Sequence, residues 1–269
     1  MELLIFICVG IFTGLSAGLL GLGGGIISVP AMVILLPYFD VPPHLIMHIA
    51  IATSLALIIP TSLLSAYTHS RQNAIDWAYV IRLVPGLIFG SVIGAYTVVL
   101  FDREMLQGLF SAFLILVVMY MLFGRVPKAR YSLNQGAQAA WIARASHFLP
   151  ASLVGLISSL MGVGGGTMTV PYLIWRGVSL PKAIGTSAFC GLPIAVSSSV
   201  VFFGFQISNS GGEENSFFYL PAFVGILIGA MVFTPIGAKL THKINVALLK
   251  RLFLMMLLIV AIKLLISYL

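Results

Sequence analysis

The sequence has few charged residues and only two cysteines. Charged side chains make up 8% of its 269 residues, whereas hydrophobic side chains make up 60%. Soluble domains carry about 25% charged residues, so this chain has too few to cover a water-facing surface. Cys8 and Cys190 lie in apolar runs and have no CxxC partner, which argues against a disulfide framework or a cysteine metal site. The composition therefore predicts an integral membrane protein.

The sequence also lacks the residue patterns of membrane enzymes and of nucleotide-driven pumps. It contains no His-Glu-x-x-His, no CxxC pair and no phosphate-binding loop, and its five histidines are scattered, mostly near the ends of apolar segments. We expect no enzyme activity, no metal site and no cofactor. The formal net charge of +7 is explained by basic residues beside membrane segments and does not indicate nucleic-acid binding.

Ten apolar segments and one polar linker organise the chain, and helix is the structure expected for the segments, because lipid cannot satisfy exposed backbone groups. The segments of the first half lie at about 3–20, 26–38, 44–67, 77–100 and 105–123. Those of the second half lie at about 147–161, 167–175, 183–206, 217–238 and 245–267. We predict a first transmembrane repeat at 1–123, a cytoplasmic linker at 124–146 and a second repeat at 147–269. No basic n-region precedes the first segment and no small-residue cleavage site follows it, so we expect this segment to be retained.

The two halves carry the same landmarks in the same order. The pattern of residues 14–30 is repeated at 155–171. Each copy has three consecutive glycines followed by x-x-x-Val-Pro. Thr-Ser followed six residues later by proline occurs at 53–60 and again at 186–193. The second segment of each half is too short to cross the hydrocarbon core comfortably, because a span needs about 20 residues. Each glycine break therefore predicts a helical hairpin, which either re-enters or joins two spans near the membrane centre.

Charge placement orients the halves. The linker carries four basic residues and is assigned to the cytoplasm, whereas the loop at 208–215 has no basic residue and is assigned to the outside. Because each half holds an odd number of segments, the second half begins on the opposite side from the first. We predict an all-α integral membrane protein of two inverted repeats. Each repeat is a Gly-broken helical hairpin plus three transmembrane helices, giving about eight to ten membrane segments.

The glycine breaks are the candidate substrate site. A broken helix exposes the first N–H groups of the next half-helix at the positive end of its dipole, and such an end binds anions without a charged side chain. Hydroxyl groups beside the breaks and in the third segment of each half add donors, and Thr169 is placed to add another. The predicted substrate-binding residues are Gly23, Gly24, Gly25, Ser28, Thr53, Ser54, Gly164, Gly165, Gly166, Thr167, Thr186 and Ser187.

These residue types also have structural interpretations. Glycines let membrane helices pack closely. We assign two glycine rows to packing: Gly10, Gly14 and Gly18, and Gly86, Gly90 and Gly94. Buried hydroxyls also bond neighbouring helices or a kinked backbone. Arg82 is interpreted as an interfacial side chain facing the cytoplasm, with an anion-guiding or gating role as the alternative. His48 is interpreted as a capping or packing residue, with proton transfer as the alternative.

The same motifs carry a family resemblance. Gly-Leu-Gly-Gly-Gly-x-x-x-Val-Pro at 21–30, Gly-Val-Gly-Gly-Gly-x-x-x-Val-Pro at 162–171, and Ala/Gly-Thr-Ser at 52–54 and 185–187 resemble those of the sulfite exporter TauE/SafE family. The resemblance covers nearly the whole chain and its duplication. It implies a multi-pass permease of the bacterial inner (plasma) membrane that exports small sulfur-containing anions, such as sulfite or organosulfonates. Membership in so wide a family does not fix the cargo.

The prediction is a secondary transporter that holds an anion at the broken-helix N-termini and rocks one repeat against the other. A passive anion channel is one alternative and predicts non-saturating flux without counterflow. A non-transporting membrane scaffold is the other and predicts no flux. The expected partners are a small anionic substrate and the lipid bilayer, with no nucleic acid. The sequence leaves open a coupling proton or ion and a homo-oligomeric state.

Overall fold

The computed structural model describes residues 2–20, 24–123, 140–208 and 217–240. Every regular element in these ranges is helical, which confirms the predicted all-α class. The α-helices are α1 (Glu2–Leu20), α2 (Gly25–Leu35), α3 (Ile46–Ser70), α4 (Trp77–Leu100), α5 (Arg103–Phe123), α6 (Ala140–Leu160), α7 (Gly166–Trp175), α8 (Leu180–Ser208) and α9 (Leu220–Leu240). Two single-turn 3-10 helices, Leu36–Tyr38 and Pro43–Leu45, connect α2 to α3.

Five of these helices are long and apolar enough to cross a bilayer: Glu2–Leu19, Pro43–Ser70, Trp77–Leu100, Leu180–Ser208 and Leu220–Leu240. Two shorter apolar helices, Gly25–Tyr38 and His147–Leu160, follow or precede the glycine turns. The number of full crossings and the inverted relation of the halves stay predictions. The segment predicted at 245–267 lies outside the described residues.

The predicted segments match the helices to within a few residues, except at α6. This helix begins at Ala140, inside the predicted linker. Alanine is the strongest helix former, so the Ala-rich stretch before His147 continues the helix although its polar residues end the hydropathy signal. The rest of the linker, 124–139, lies outside the described residues.

Two glycine-packed helix pairs each take one helix from each half of the chain. Helix α1 lies along α9, and α4 lies along α6. A Cβ atom added at Gly14 would lie 2.7 Å from the Cα of Ala230, and one added at Gly86 would lie 2.8 Å from the Cβ of Ala151. Backbones this close leave no room for larger residues, so the packing interpretation of both glycine rows is confirmed. Helices α3 and α8 contact each other and also contact α9 and α4, respectively.

The helices begin at two different ends of the bundle. Helices α1 and α9 begin together, where the Tyr219 hydroxyl donates to Glu2 Oε2 at 3.4 Å. The start of α4 packs against α6 at the other end, where the Tyr79 and His147 rings lie 5.6 Å apart. The end of α3, which leads into α4, lies there beside the end of α1, because Ser65 and His69 contact the Ala17 and Gly18 carbonyls. We call the first the acidic end, after Glu2 and Asp40. We call the second the basic end, after Arg82 and Arg176.

The outer faces of the helices are apolar. Large hydrophobic side chains on them are exposed rather than packed, as lipid contact requires. They include Phe12, Ile81, Leu100, Leu149, Val200 and Phe203. Inside, a continuous apolar core holds the glycine turns and the third helix of each half.

Candidate functional site

The two glycine turns meet inside the bundle. A Cβ atom at Gly25 would lie 2.8 Å from the Cα of Val163 and still closer to the carbonyl oxygen of Gly162. Gly162 has a φ of +62°, which L side chains rarely adopt, and a Cβ there would lie 2.9 Å from the Cα of Ile51. Glycine is therefore required at both contact positions, because the first turn, the second turn and α3 touch through their backbones.

The first turn starts α2 with free backbone donors. Gly24, at a φ of +82°, is the residue before the helix, and its carbonyl accepts from the Ile27 and Ser28 amides at 3.0 and 3.1 Å. Among the described residues, no acceptor is placed on the amides of Gly25 and Ile26. The start of α2 therefore presents unpaired N–H groups at the positive end of a helix dipole. Gly23 lies outside the described residues.

The second turn starts α7 in the same way. The Gly165 carbonyl accepts from the Thr169 amide at 2.7 Å. Gly164 and Gly166 are buried on either side of it, and no described residue accepts from the amides of Gly166 and Thr167. Neither α2 nor α7 contains a charged residue. An anion at either helix start would thus be bound by backbone dipoles and hydroxyls alone.

A chain of buried hydroxyls links the first half to the second turn. The Ser54 hydroxyl donates to the Gly162 carbonyl at 2.7 Å, and the Ser28 oxygen lies 2.8 Å from the Ser54 oxygen. Ser54 has a single hydroxyl proton and uses it on Gly162, so Ser28 is the donor to Ser54. These two predicted site residues are therefore already engaged with each other and with the second turn.

Thr53 and Thr186 make equivalent bonds across the halves. The hydroxyl oxygen of Thr53 accepts from the Tyr219 amide at 3.1 Å, just before α9. The hydroxyl oxygen of Thr186 accepts from the Asp76 amide at 2.9 Å, just before α4. Each threonine thus ties the third helix of its own half to the fourth helix of the other half. Ser187, beside Thr186, is fully buried.

The hydroxyls of the second turn differ from those of the first. The Thr167 and Thr169 oxygens are buried without a hydrogen-bond partner among the described residues. Thr169 is 1% exposed, and its oxygen lies 3.1 Å from where a Cβ of Gly165 would stand. A buried hydroxyl without a partner costs free energy, which makes Thr169, beside the second helix start, a candidate ligand position.

His48 has a structural contact that supports the packing interpretation. Its Nε2 lies 3.0 Å from the Phe101 carbonyl, so the ring joins the start of α3 to the residue after α4. Among the described residues, no group of three or more His, Cys, Asp or Glu side chains is arranged to hold a metal ion.

Sequence reasoning found the glycine turns but missed three partners. It did not find the Gly162 carbonyl as the acceptor for Ser54, nor the helix starts bonded by Thr53 and Thr186. These bonds join residues 108, 166 and 110 positions apart, and nothing local in the sequence signals them. The duplication of Thr-Ser was the only available hint, since it marked both positions as equivalent.

Comparison with known proteins covers nearly the whole chain. The family model described as "Sulfite exporter TauE/SafE" matches residues 6–264. A "Probable membrane transporter protein" of Haemophilus influenzae is 33% identical over 97% of this chain and 97% of its own length. The "Probable membrane transporter protein YunE" of Bacillus subtilis is 28% identical over 93% and 94%, respectively. No solved structure matches. These matches, together with the five apolar helices of this chain, identify a multi-pass membrane protein.

Proposed function

Because this chain belongs to the sulfite exporter TauE/SafE family, we propose that it is a secondary transporter that exports small sulfur-containing anions, such as sulfite or organosulfonates, across a bacterial inner membrane. The names of its relatives support the transporter class, and the family description supports the cargo class. The sequence contains no nucleotide-binding motif, so an ion or solute gradient supplies the energy.

The observation that carries the proposal is the meeting of two helix starts with free donors. The starts of α2 and α7 lie on turns whose backbones touch at Gly25 and Gly162. The unpartnered hydroxyl of Thr169 lies beside the second start. Sulfite and sulfonate groups present several hydrogen-bond-accepting oxygens at once, which suits converging N–H and O–H donors. A weakly charged site also releases its anion readily, as a carrier requires.

The proposed motion uses the two-fold arrangement of contacts. The α1–α9 and α4–α6 pairs are equivalent contacts that begin at opposite ends of the bundle, which supports two inverted repeats. Close backbone contact makes each pair a rigid unit. Because each pair joins one helix of each half, we propose that the pairs move against α3 and α8, in place of the predicted rocking of one whole repeat against the other. The Thr53 and Thr186 bonds to the opposite half would guide this motion.

Flux into proteoliposomes tests the proposal. Uptake of radiolabelled sulfite, sulfate, thiosulfate and sulfoacetate is measured with and without a pH gradient, and acetate serves as the carboxylate control. Saturable flux that is accelerated by counter-substrate supports a carrier. Non-saturating flux without counterflow identifies a channel instead. Absence of flux from folded protein removes the transporter proposal for these anions.

A glycine substitution locates the site. A Cβ at Gly165 meets only the tip of Ile194 and the Thr169 oxygen within 3.4 Å, and the Cys190 carbonyl oxygen is 3.8 Å away, so the Cβ of Gly165→Val enters the ligand position without a backbone clash. We expect a folded protein that has lost anion binding at the glycine turns and therefore has lost flux. The matched control is Gly204→Val on α8, where a Cβ meets nothing within 4 Å. Wild-type flux in the Gly165 variant contradicts the site assignment.

A further inference from the structure

Two arginines and three aromatic side chains form a cluster at the basic end, away from the glycine turns. The Arg82 guanidinium lies 6.0 Å from the centre of the Tyr79 ring, and the Arg176 guanidinium lies 5.8 Å from that of Tyr172. His147 stands between the tyrosines, with edge-on rings at 5.6 and 6.1 Å and a hydrogen bond to the Tyr172 hydroxyl. The cluster joins α4, α6 and α7.

The cluster holds its histidine neutral. Arg176 Nη2 lies 3.2 Å from His147 Nδ1. The same Nη2 lies 3.4 Å from Nε2, and a guanidinium only donates and always carries positive charge, so its position beside both ring nitrogens disfavours a cationic His147. The positive charge of the cluster therefore belongs to the two guanidiniums, with tyrosine hydroxyls beside them.

Among the described residues, no carboxylate forms an ion pair with Arg82 or Arg176. Asp76, the nearest acidic residue in sequence to Arg82, caps α4 instead by accepting from the Ala78 and Tyr79 amides at 3.2 and 3.4 Å. The linker that leads to α6 contains no Asp or Glu. Glu213 and Glu214 lie outside the described residues.

The equivalent position in the other half has the opposite character. Alignment of the glycine motifs pairs His147 with Phe6. The Phe6 ring packs against Phe39 and Tyr219, and Tyr219 bonds Glu2. Burial, and then the Glu2 carboxylate, raise the pKa of Tyr219, with Asp40 adding to the effect. The two ends therefore share an aromatic frame, but one adds guanidiniums and the other adds carboxylates.

We propose that Arg82 and Arg176, with the Tyr79 hydroxyl, form an anion-binding site at the basic end that takes small oxyanions from the aqueous phase. Two unpaired guanidiniums on an aromatic frame bind and concentrate such anions, and the acidic end, lacking them, does not. Binding here does not rest on the proposed transport function. A role for this site in supplying anions to the glycine turns does rest on the proposed transport function.

Sulfite binding to the full chain in neutral phosphatidylcholine nanodiscs tests the site. Radiolabelled sulfite is titrated under anaerobic conditions against protein with both arginines, Arg82→Gln, Arg176→Gln and the double variant, each in a Gly165→Val background that removes binding at the glycine turns. We expect affinity to fall severalfold in each single variant and about tenfold or more in the double variant, because charge-assisted hydrogen bonds are lost. The matched control is Arg71→Gln, whose guanidinium also covers a tyrosine ring, at 4.8 Å from Tyr67, but lies outside the cluster.

Three outcomes decide the matter. Loss of affinity in the double variant, with an unchanged melting midpoint and an unaffected Arg71 variant, supports the site. Wild-type affinity in the double variant overturns it. The third outcome is phosphatidylglycerol bound by wild type and released by the double variant, with sulfite binding unchanged, which assigns the cluster to a lipid headgroup and also overturns the proposal. Intact binding without flux would count against the transport function alone.

Discussion

A single substitution, Thr169→Val, tests ligand binding and folding stability separately. Valine has nearly the shape of threonine, so Thr169→Val removes the buried oxygen without opening a cavity. That oxygen has no partner among the described residues, and its burial costs about 1–3 kcal/mol when no ligand is present. We therefore expect the melting temperature of the ligand-free variant to equal or exceed that of wild type.

Anion affinity, in contrast, is expected to fall in Thr169→Val. A hydrogen bond to a charged group contributes about 1.5–3 kcal/mol, so its loss weakens binding by about 10- to 150-fold. The measurement is sulfite titration of nanodisc-held protein in an Arg82→Gln, Arg176→Gln background, in which the basic end does not contribute to binding, paired with thermal unfolding of the same samples without sulfite. Wild-type affinity in Thr169→Val would refute a ligand position beside the second turn.

Ser54→Ala removes a hydroxyl that is already bonded inside the protein, in contrast to that of Thr169. The Ser54 hydroxyl donates to Gly162 and accepts from Ser28, so its removal breaks two internal bonds. Membrane hydrogen bonds contribute about 0.6–1.7 kcal/mol each, and we expect a clear loss of stability. If Thr169→Val lowered stability and Ser54→Ala did not, the assignment of structural and ligand-binding hydroxyls would be reversed.

Three further substitutions test the architecture. Gly162→Ala places a Cβ at a positive φ and against the α3 backbone, so it should lower the melting midpoint markedly and reduce folded yield in size-exclusion chromatography. Thr186→Val removes the acceptor for the Asp76 amide and should destabilise by about 1 kcal/mol in thermal unfolding, whereas Thr186→Ser should not; equal effects would exclude the hydrogen bond as the cause. Gly14→Leu should separate α1 from α9 and abolish a cysteine crosslink engineered between them, and a retained crosslink would contradict the packing.

The helices and the glycine breaks were predictable because their causes are local. Apolar runs in a chain with 8% charge must form helices in lipid, and three consecutive glycines must interrupt them. The spacing of Gly10, Gly14 and Gly18 places all three on one helix face, so close packing of that face followed. None of these features required knowledge of the partner helix.

The partners were not predictable from one sequence. Nothing near Gly14 indicates that its neighbour is Ala230, more than 200 positions away. The cluster at the basic end was missed for the same reason. Arg176 ends a short apolar helix and looks like an ordinary interfacial charge, whereas the rings beside it come from α4, α6 and α7. A pattern within one helix cannot reveal side chains gathered from three.

The pairing of α1 with α9 also sets the order in which this chain can assemble during synthesis. About 200 residues separate the end of α1 from the start of α9. At about 5–20 residues per second, the ribosome needs roughly 10–40 s to deliver the partner. For that time the glycine face of α1 stands in the bilayer without its native neighbour. Packing of α1 therefore cannot be completed until α9 has been synthesised. An insertase that shields α1 would protect its glycine face until then.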